Sequence, residues 1–362
     1  MRSDGQGGQR RFVYKALDVS RREFSISSVD PLALALTPGV GPKRLMLALE
    51  RTDLGPEALG PEIARAYRKV LESGRAEQER EKAQALGVRI IGLWDPEYPP
   101  PLRHLAAPPS VLYLRGSLPD PSRSVAIVGT RRASAWAKTW TRKVARELAE
   151  AGVGVISGLA LGIDAEAHAG ALEGGGYTLG VLGSAVDQVY PTANQKLAEK
   201  ISLLSEFPLG TRPKAEFFPR RNRIVAGLSR AVIVAEAGAK SGALITAKFA
   251  LEQGIDVLAV PGRPGDVFSE GCNRLIQDGA ALVMGTEDIL MVLGLTAPRK
   301  DAVVLEGKEA QVYRTLLEMG EALPDDLALS LDLPLSEVLA ALTLLELKGY
   351  ALGLPGGRYA AG

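Results

Sequence analysis

One cysteine, two histidines and three tryptophans are spread over 362 residues. Cys272 alone cannot close an internal disulfide, and with only His104 and His168 beside it no Cys/His zinc cluster can assemble. Carboxylates remain available as hard-metal ligands, but no dense acidic motif gathers them, so no metal site is expected. Apolar runs are short. Ala231-Val232-Ile233-Val234-Ala235 stops far below the ~18 residues that a membrane helix needs. The opening Met1-Arg2-Ser3-Asp4-Gly5 lacks the apolar core of a signal peptide, so a cytoplasmic location without a membrane partner is expected. An excess of either charge is missing too: 43 basic residues face 42 acidic ones, a net charge of +1. A nucleic-acid binder of this composition has to concentrate its cations on one local face. Arginines outnumber lysines 29 to 14, which suits bidentate phosphate contacts and equally a GC-rich or heat-adapted genome.

Familiar catalytic signatures are also absent. No Gly-x-Gly-x-x-Gly opens a strand–helix unit, no Gly-x-x-x-x-Gly-Lys-Ser/Thr loop occurs, and no Gly-x-Ser-x-Gly elbow is present. Nucleotide cofactors and a serine triad are therefore not expected, and no residue is assigned a catalytic role.

Length predicts two or three domains. Residues 1–29 are basic, with six cations against three carboxylates up to residue 27, and read as a disordered arm or as translation from a misassigned upstream start. Residues 30–85 read as a small helical domain, its periodicity clear to about residue 74. Thr37-Pro38-Gly39-Val40-Gly41-Pro42-Lys43-Arg44 within it looks like the turn of a helix-hairpin-helix. Its glycines would bare backbone N–H groups to a phosphate, or the turn only packs.

From 86 to 297 strands and helices alternate, as in a doubly wound parallel sheet covered on both faces. Extended segments at 89–93 and 111–114 precede strands at 124–128, 154–157, 177–182, 202–205, 231–235, 256–260 and 281–283. Helices are expected at 136–151, 164–173, 192–200, 217–228 and 241–253. Residues 302–362 follow the order of a winged helix, with leucines at 335, 339, 342 and 345 as its apolar stripe. Its third helix carries one lysine against two glutamates, poor equipment for a major-groove reader.

Polar, glycine-rich segments follow several predicted strands, and in an open parallel sheet such segments converge. The first holds Gly129, Thr130, Arg131 and Ser134; the second holds Ser157 and Gly158, with Asp164 expected to cap the helix that carries His168. The third runs from Phe217 and Phe218 through Arg220, Arg221, Asn222 and Arg223 to Ile224, and the fourth holds Lys240, Ser241 and Gly242. The fifth is Pro261-Gly262-Arg263-Pro264-Gly265. Arginines can clamp a phosphodiester while an aromatic face stacks a base, which is how single strands are held without sequence readout. The alternative for the third segment is a solvated helix start. His168 reads as structural.

These segments, in this order, resemble the DNA-processing protein A family (DprA, also called Smf). The matching runs are Val125-Ala126-Ile127-Val128-Gly129-Thr130-Arg131, residues 157–164 with Ala167-His168, Tyr190-Pro191, Ser205-Glu206 and Arg221-Asn222-Arg223-Ile224. Ser241-Gly242-Ala243-Leu244-Ile245-Thr246, Pro261-Gly262 and Gly271-Cys272-Asn273-Arg274-Leu275-Ile276 with Gly279-Ala280 complete the set. The resemblance implies an extended Rossmann-like fold that binds and protects single-stranded DNA. It also implies help in loading RecA recombinase during natural transformation and recombination, a homodimer, no reaction and no cofactor. By position, Arg131 would hold a DNA phosphate, with Lys214 and Phe217 or Phe218 in the same pocket. Two departures lie near that pocket: Trp136-Ala137 stands where Tyr-Gly is usual, and Ala185 where glycine is common. The alternative reading of the same crevice is an enzyme that cleaves nucleotides, with Glu206 or Glu236 as general acid or base.

Overall fold

The computed structural model describes residues 29–51, 55–295 and 305–361. The expected basic arm, but for Val29, and the segment joining the last two expected domains lie outside the described residues. The chain forms two units, one ending at Ala297 and the other beginning at Pro298.

Four helices open the first unit: α1 (Pro31–Ala35), α2 (Pro42–Glu50), α3 (Pro61–Glu72) and α4 (Arg75–Ala85). The first three begin on proline, whose fixed φ and missing N–H suit a first helical position. Asp30 caps α1 by accepting from the N–H groups of Leu32 and Ala33 at 2.9 and 3.1 Å. Arg80 of α4 reaches the same carboxylate at 2.6 Å, tying the fourth helix to the first. Gly39, at φ 82°, turns the chain between α1 and α2 and leaves Lys43 and Arg44 exposed. Helix α4 is charged along most of its length and has no apolar stripe to betray it. It is held from outside, where buried Glu79 accepts from the Leu209 N–H at 2.7 Å.

The sheet elements then follow in chain order: β1 (Val88–Gly92), α5 (Pro100–Arg103), β2 (Val111–Arg115), β3 (Ser124–Gly129), α6 (Ala135–Glu150) and β4 (Gly154–Ser157). Next come α7 (Ile163–Glu173), β5 (Thr178–Val181), α8 (Gln195–Ala198), β6 (Ser202–Ser205), α9 (Phe217–Gly227), β7 (Ala231–Glu236) and α10 (Ala243–Glu252). β8 (Asp256–Ala259), α11 (Glu270–Gln277), β9 (Ala281–Leu282) and α12 (Thr286–Val292) complete the unit. The nine strands form one sheet in the order β1-β2-β6-β5-β4-β3-β7-β8-β9. From β6 to β9 all neighbours are parallel, as expected. The extended segments at the start of the domain add an antiparallel pair at one edge, where β2 joins β6.

β4, β5 and β7 are buried along their whole length, as strands covered on both faces must be. One face packs α6, α7 and α12 through Val144, Leu148, Ile163 and Ile289. The other gathers Ile224 and Val225 of α9, Ala247 of α10 and Cys272 of α11. Burial pushes the Cys272 thiol up to about 12, which makes it an inert core residue. Leu34 and Leu45 of the opening helices belong to that same core. The expected boundary between residues 85 and 86 is therefore no break in packing, because helices this short and this charged cannot enclose a core alone.

The second unit holds α13 (Gly307–Met319), β10 (Glu321–Ala322), α14 (Pro324–Leu331), α15 (Leu335–Leu347), β11 (Ala351–Leu354) and β12 (Arg358–Ala361), with strand order β10-β12-β11. This is the expected winged helix. Its leucine stripe divides: Leu342 and Leu345 join Val338 and Ala341 in the core, while Leu335 and Leu339 are exposed. Among the described residues no single helix is long and apolar enough to cross a membrane.

Sharing of one core predicts that residues 29–295 unfold in a single calorimetric transition. Leu34→Ala should lower the stability of that whole transition by about 2–5 kcal/mol. A separate early transition carrying the entire effect would show that the opening helices fold independently.

Candidate nucleic-acid interface

Chain order in the sheet reverses between β3 and β7. Strands β3 to β6 step away in one direction, and β7 to β9 step away in the other. Loops leaving two such strands diverge and open a crevice at their carboxyl ends. Here the crevice is a cleft of about 1070 Å³. Gly129 to Arg132, Gly158 and Ala160, Gly238 to Gly242 and the pair Val267–Phe268 line it from the ends of four adjacent strands.

Close backbone approach makes these loops fit. Gly162 has φ 77°, and a Cβ there would lie 2.4 Å from the Thr130 carbonyl oxygen, so the loops after β3 and β4 can come this close only with glycine at that position. A Cβ on Gly158 would meet the Arg221 guanidinium at 2.4 Å. Glu236 at the end of β7 braces the other side. Its carboxylate accepts from the Ser134 N–H at 2.9 Å and from the Ser134 hydroxyl at 2.7 Å, while its carbonyl accepts from the Thr130 N–H at 2.7 Å.

Helix α9 supplies the third wall. Phe218, Arg221, Asn222 and Val225 line the cleft, the i, i+3, i+4, i+7 spacing of one helix face. Arg131 lies over the Phe218 ring with its guanidinium carbon 5.4 Å from the centroid, and Tyr190 packs on the same ring at 5.7 Å. Lys214 and Lys240 are exposed at the rim. Among the described residues the wall thus carries five cations, Arg131, Arg132, Lys214, Arg221 and Lys240, against one carboxylate, Asp164. A nearly neutral chain has concentrated positive charge in one concavity.

Asp164 does not cap its helix as expected. It lies inside the first turn of α7, and its carboxylate reaches back to the N–H groups of Gly158 and Ala160 at 3.1 and 3.3 Å. Burial holds its carboxyl above the ordinary range, opposed by neighbouring Arg221. Arg221 is itself 4% exposed and donates to the Val181 carbonyl. Burial lowers it to about 10, with Asp164 opposing and Arg131 adding to the shift, so it stays a cation at neutral pH.

Eleven of the fifteen expected binding residues line the cleft: Gly129, Thr130, Arg131, Gly158, Lys214, Phe218, Arg221, Asn222, Lys240, Ser241 and Gly242. Four do not. Ser134 is consumed as cap of α6 and partner of Glu236. Ser157 is fully buried and donates to the Ile127 carbonyl at 2.6 Å. Phe217 stacks on Phe207 at 4.2 Å, with Lys214 over its ring. Arg223 stands two residues from Arg221, about 200° around the helix, and so points elsewhere. It binds Glu206 at 2.6 Å, where Arg220 also pairs at 2.7 Å. Glu206 and Glu236, the carboxylates that a nucleotide-cleaving reading requires, are thereby engaged in structural contacts and are absent from the cleft wall. Tyr190, Val267 and Phe268 were not foreseen as site residues. Tyr190 belongs to a motif already noted, whereas Val267 and Phe268 arrive only because β8 neighbours β7.

His168 is fully buried. The Thr178 hydroxyl donates to the Val155 carbonyl at 2.8 Å, so it accepts from His168 Nδ1 at 2.7 Å and fixes the proton there. Nε2 meets no hydrogen-bond partner among the described residues, and burial, reinforced by Arg221, pulls the ring down to about 3.

Residues 89–294 match the family profile of DNA recombination-mediator protein A, and residues 296–357 match the DprA winged helix domain. Protein Smf of Synechocystis is 44% identical over 209 residues, 55% of this chain and about half, 52%, of that relative. Among solved structures, DNA processing protein A of Streptococcus pneumoniae aligns with a TM-score of 0.65 and 33% identity, covering 73% of this chain and 98% of that one. DNA processing protein A of Helicobacter pylori, solved to describe its mode of single-stranded DNA binding, aligns with a TM-score of 0.52 and 32% identity, covering 57% and 95%.

Two outcomes follow. Arg223→Ala should cost stability rather than binding, near the low end of the roughly 3–5 kcal/mol for breaking a buried pair, since Arg220 still faces Glu206. An unchanged urea midpoint would show that the pair is dispensable. His168 should make stability fall with acid: the unfolded ring takes a proton below its ordinary 6.5, and the folded ring does not until about 3. Between pH 6.5 and pH 5 the loss should be about 1.6 kcal/mol, and His168→Asn should remove that part of the slope.

Proposed function

The chain belongs to the DNA recombination-mediator protein A family, and from that premise we propose that its cleft holds single-stranded DNA. The observation that carries this reading is the clustering of Arg131, Arg132, Lys214, Arg221 and Lys240 around the half-buried Phe218 ring in one concavity. Cations track a phosphodiester backbone, an aromatic face stacks a base of any identity, and the glycine loops bring backbone N–H groups close to both. The likeness to the Helicobacter pylori protein supports the same choice of ligand.

In the same proposal the protein acts by binding, without a reaction or cofactor of its own. It shields an incoming single strand in the cytoplasm during natural transformation and recombination, works as a homodimer, and hands the strand to RecA recombinase. Arg131 is assigned the central phosphate contact, since it is exposed at the cleft and already oriented by Phe218. Arg221 is assigned a supporting part: buried beneath the loops, it keeps a fixed positive charge under the strand.

Binding of a fluorescent oligo-dT, titrated with salt, tests this. Four exposed cations predict a slope of log K against log salt of about −3, at roughly −0.7 per neutralised phosphate. Arg131→Ala should weaken binding by about 1–3 kcal/mol and flatten the slope by about 0.7. A variant binding as tightly as the parent would remove Arg131 from the site, and tighter binding of a same-length duplex would overturn the choice of ligand.

A further inference from the structure

Outside the cleft, the largest aromatic exposure among the described residues is Trp136, 58% accessible on the first turn of α6. Its indole stacks on Trp140 one turn along, with centroids 6.3 Å apart and planes 25° from parallel. Trp140 is in turn anchored, since its Nε1 donates to the Met284 carbonyl at 3.1 Å. One face of Trp136 is therefore backed by a fixed ring while much of its surface meets solvent. A side chain ordered in advance loses little entropy when something stacks on it.

Along the chain next to this ring the charge has one sign, although α12 brings Asp288 to the Met284 end of the platform, where its carboxylate accepts from the Met284 N–H at 2.7 Å. From Gly129 to Arg146 there are six basic residues and no acidic one. Arg142 and Arg146 pair with carboxylates on α7 and within α6. Arg132, Lys138 and Lys143 are exposed and carry no ion-pair partner among the described residues. Arg132 already belongs to the cleft wall and lies only two residues before Ser134, the cap of the helix that bears Trp136. The strip is thus continuous with the cleft mouth, at the same carboxyl edge of the sheet.

We propose that Trp136, backed by Trp140 and flanked by Arg132, is a second stacking platform that receives bases of the same single strand where it leaves the cleft. This deepens the single-strand reading and rests on it. The cleft contributes Arg131, Arg132 and Phe218, and the strip lengthens the binding site beyond them with one indole. Met284, 73% exposed and joined to Trp140 through its carbonyl, makes a self-contact through this face the competing occupant; exposed Arg132, shared with the cleft wall, favours the nucleic acid.

The test compares oligo-dT of about 6 nucleotides, enough for the cleft, with oligo-dT of about 20. Trp136→Ala should leave the short strand unaffected and weaken the long one by about 5- to 150-fold, the range for loss of one base–aromatic stack. Trp136→Phe, which keeps a ring, should restore most of that affinity while losing much of the tryptophan quenching expected when the parent binds the long strand. Equal affinity of Trp136→Ala and parent for the long strand would overturn the platform, and so would equal weakening for both lengths. A shift of Trp136→Ala from dimer to monomer in sedimentation, with strand affinity unchanged, would assign the face to self-association instead. Arg131→Ala separates the two readings. If it leaves the short strand tightly bound, the cleft assignment fails while a length-dependent effect of Trp136→Ala still stands; no binding of any strand by the parent removes both.

Discussion

The candidate site depends on a single constraint, the reversal of strand order between β3 and β7, and on the carboxylate that braces it. Loops leaving those two strands have to diverge, which opens the cleft. Divergence alone would leave the loops slack. Glu236, 5% exposed, closes the gap from the β7 side by engaging both the N–H and the hydroxyl of Ser134. The same Ser134 oxygen accepts from the Ala137 N–H and starts α6. One buried acid thereby positions Arg131, Arg132 and the helix that carries Trp136.

Arginine plays two distinct parts around this frame. Arg131 and Arg132 stand at the surface, where their charge is available to a ligand. Arg221 and Arg223 are buried, and their surroundings differ. Arg223 faces Glu206, whose side chain is only 2% exposed, and with Arg220 forms a compact ionic knot behind the cleft. Arg221 faces the loop closed by Asp164 and lends its charge to the floor. A sequence that spends its cations this way keeps a net charge near zero yet holds a strongly positive concavity.

The parallel strands were legible because strands covered on both faces need unbroken apolar runs, and Ala231-Val232-Ile233-Val234-Ala235 is such a run. The phosphate-type loops were legible because glycine next to arginine just after such a run has few other uses. Helix α4 was not, since its residues hold no stripe and its place is set by Asp30 and Leu209, far away in sequence. The short helices α11 and α12 span too few turns for periodicity to speak. The winged-helix stripe was half right: on a helix packed from one side, Val338 and Ala341 took inward positions that four regularly spaced leucines had suggested for themselves.

Composition and local pattern by themselves determined the fold class, the order of strands and helices, and the residue types able to grip a phosphodiester, because those follow from periods of two and 3.6 and from side-chain chemistry. Tertiary structure alone decided which of those residues share a space. Lys240 shares the cleft with Arg131 because β7 pairs with β3, and Lys214 joins them at the start of the segment leading into α9. Ser157, Phe217 and Arg223 left the site because burial, an aromatic stack and a 200° step around α9 gave them other partners. Which face a side chain occupies is set by the helix or strand beneath it, but what it finds there is set by residues distant in the chain.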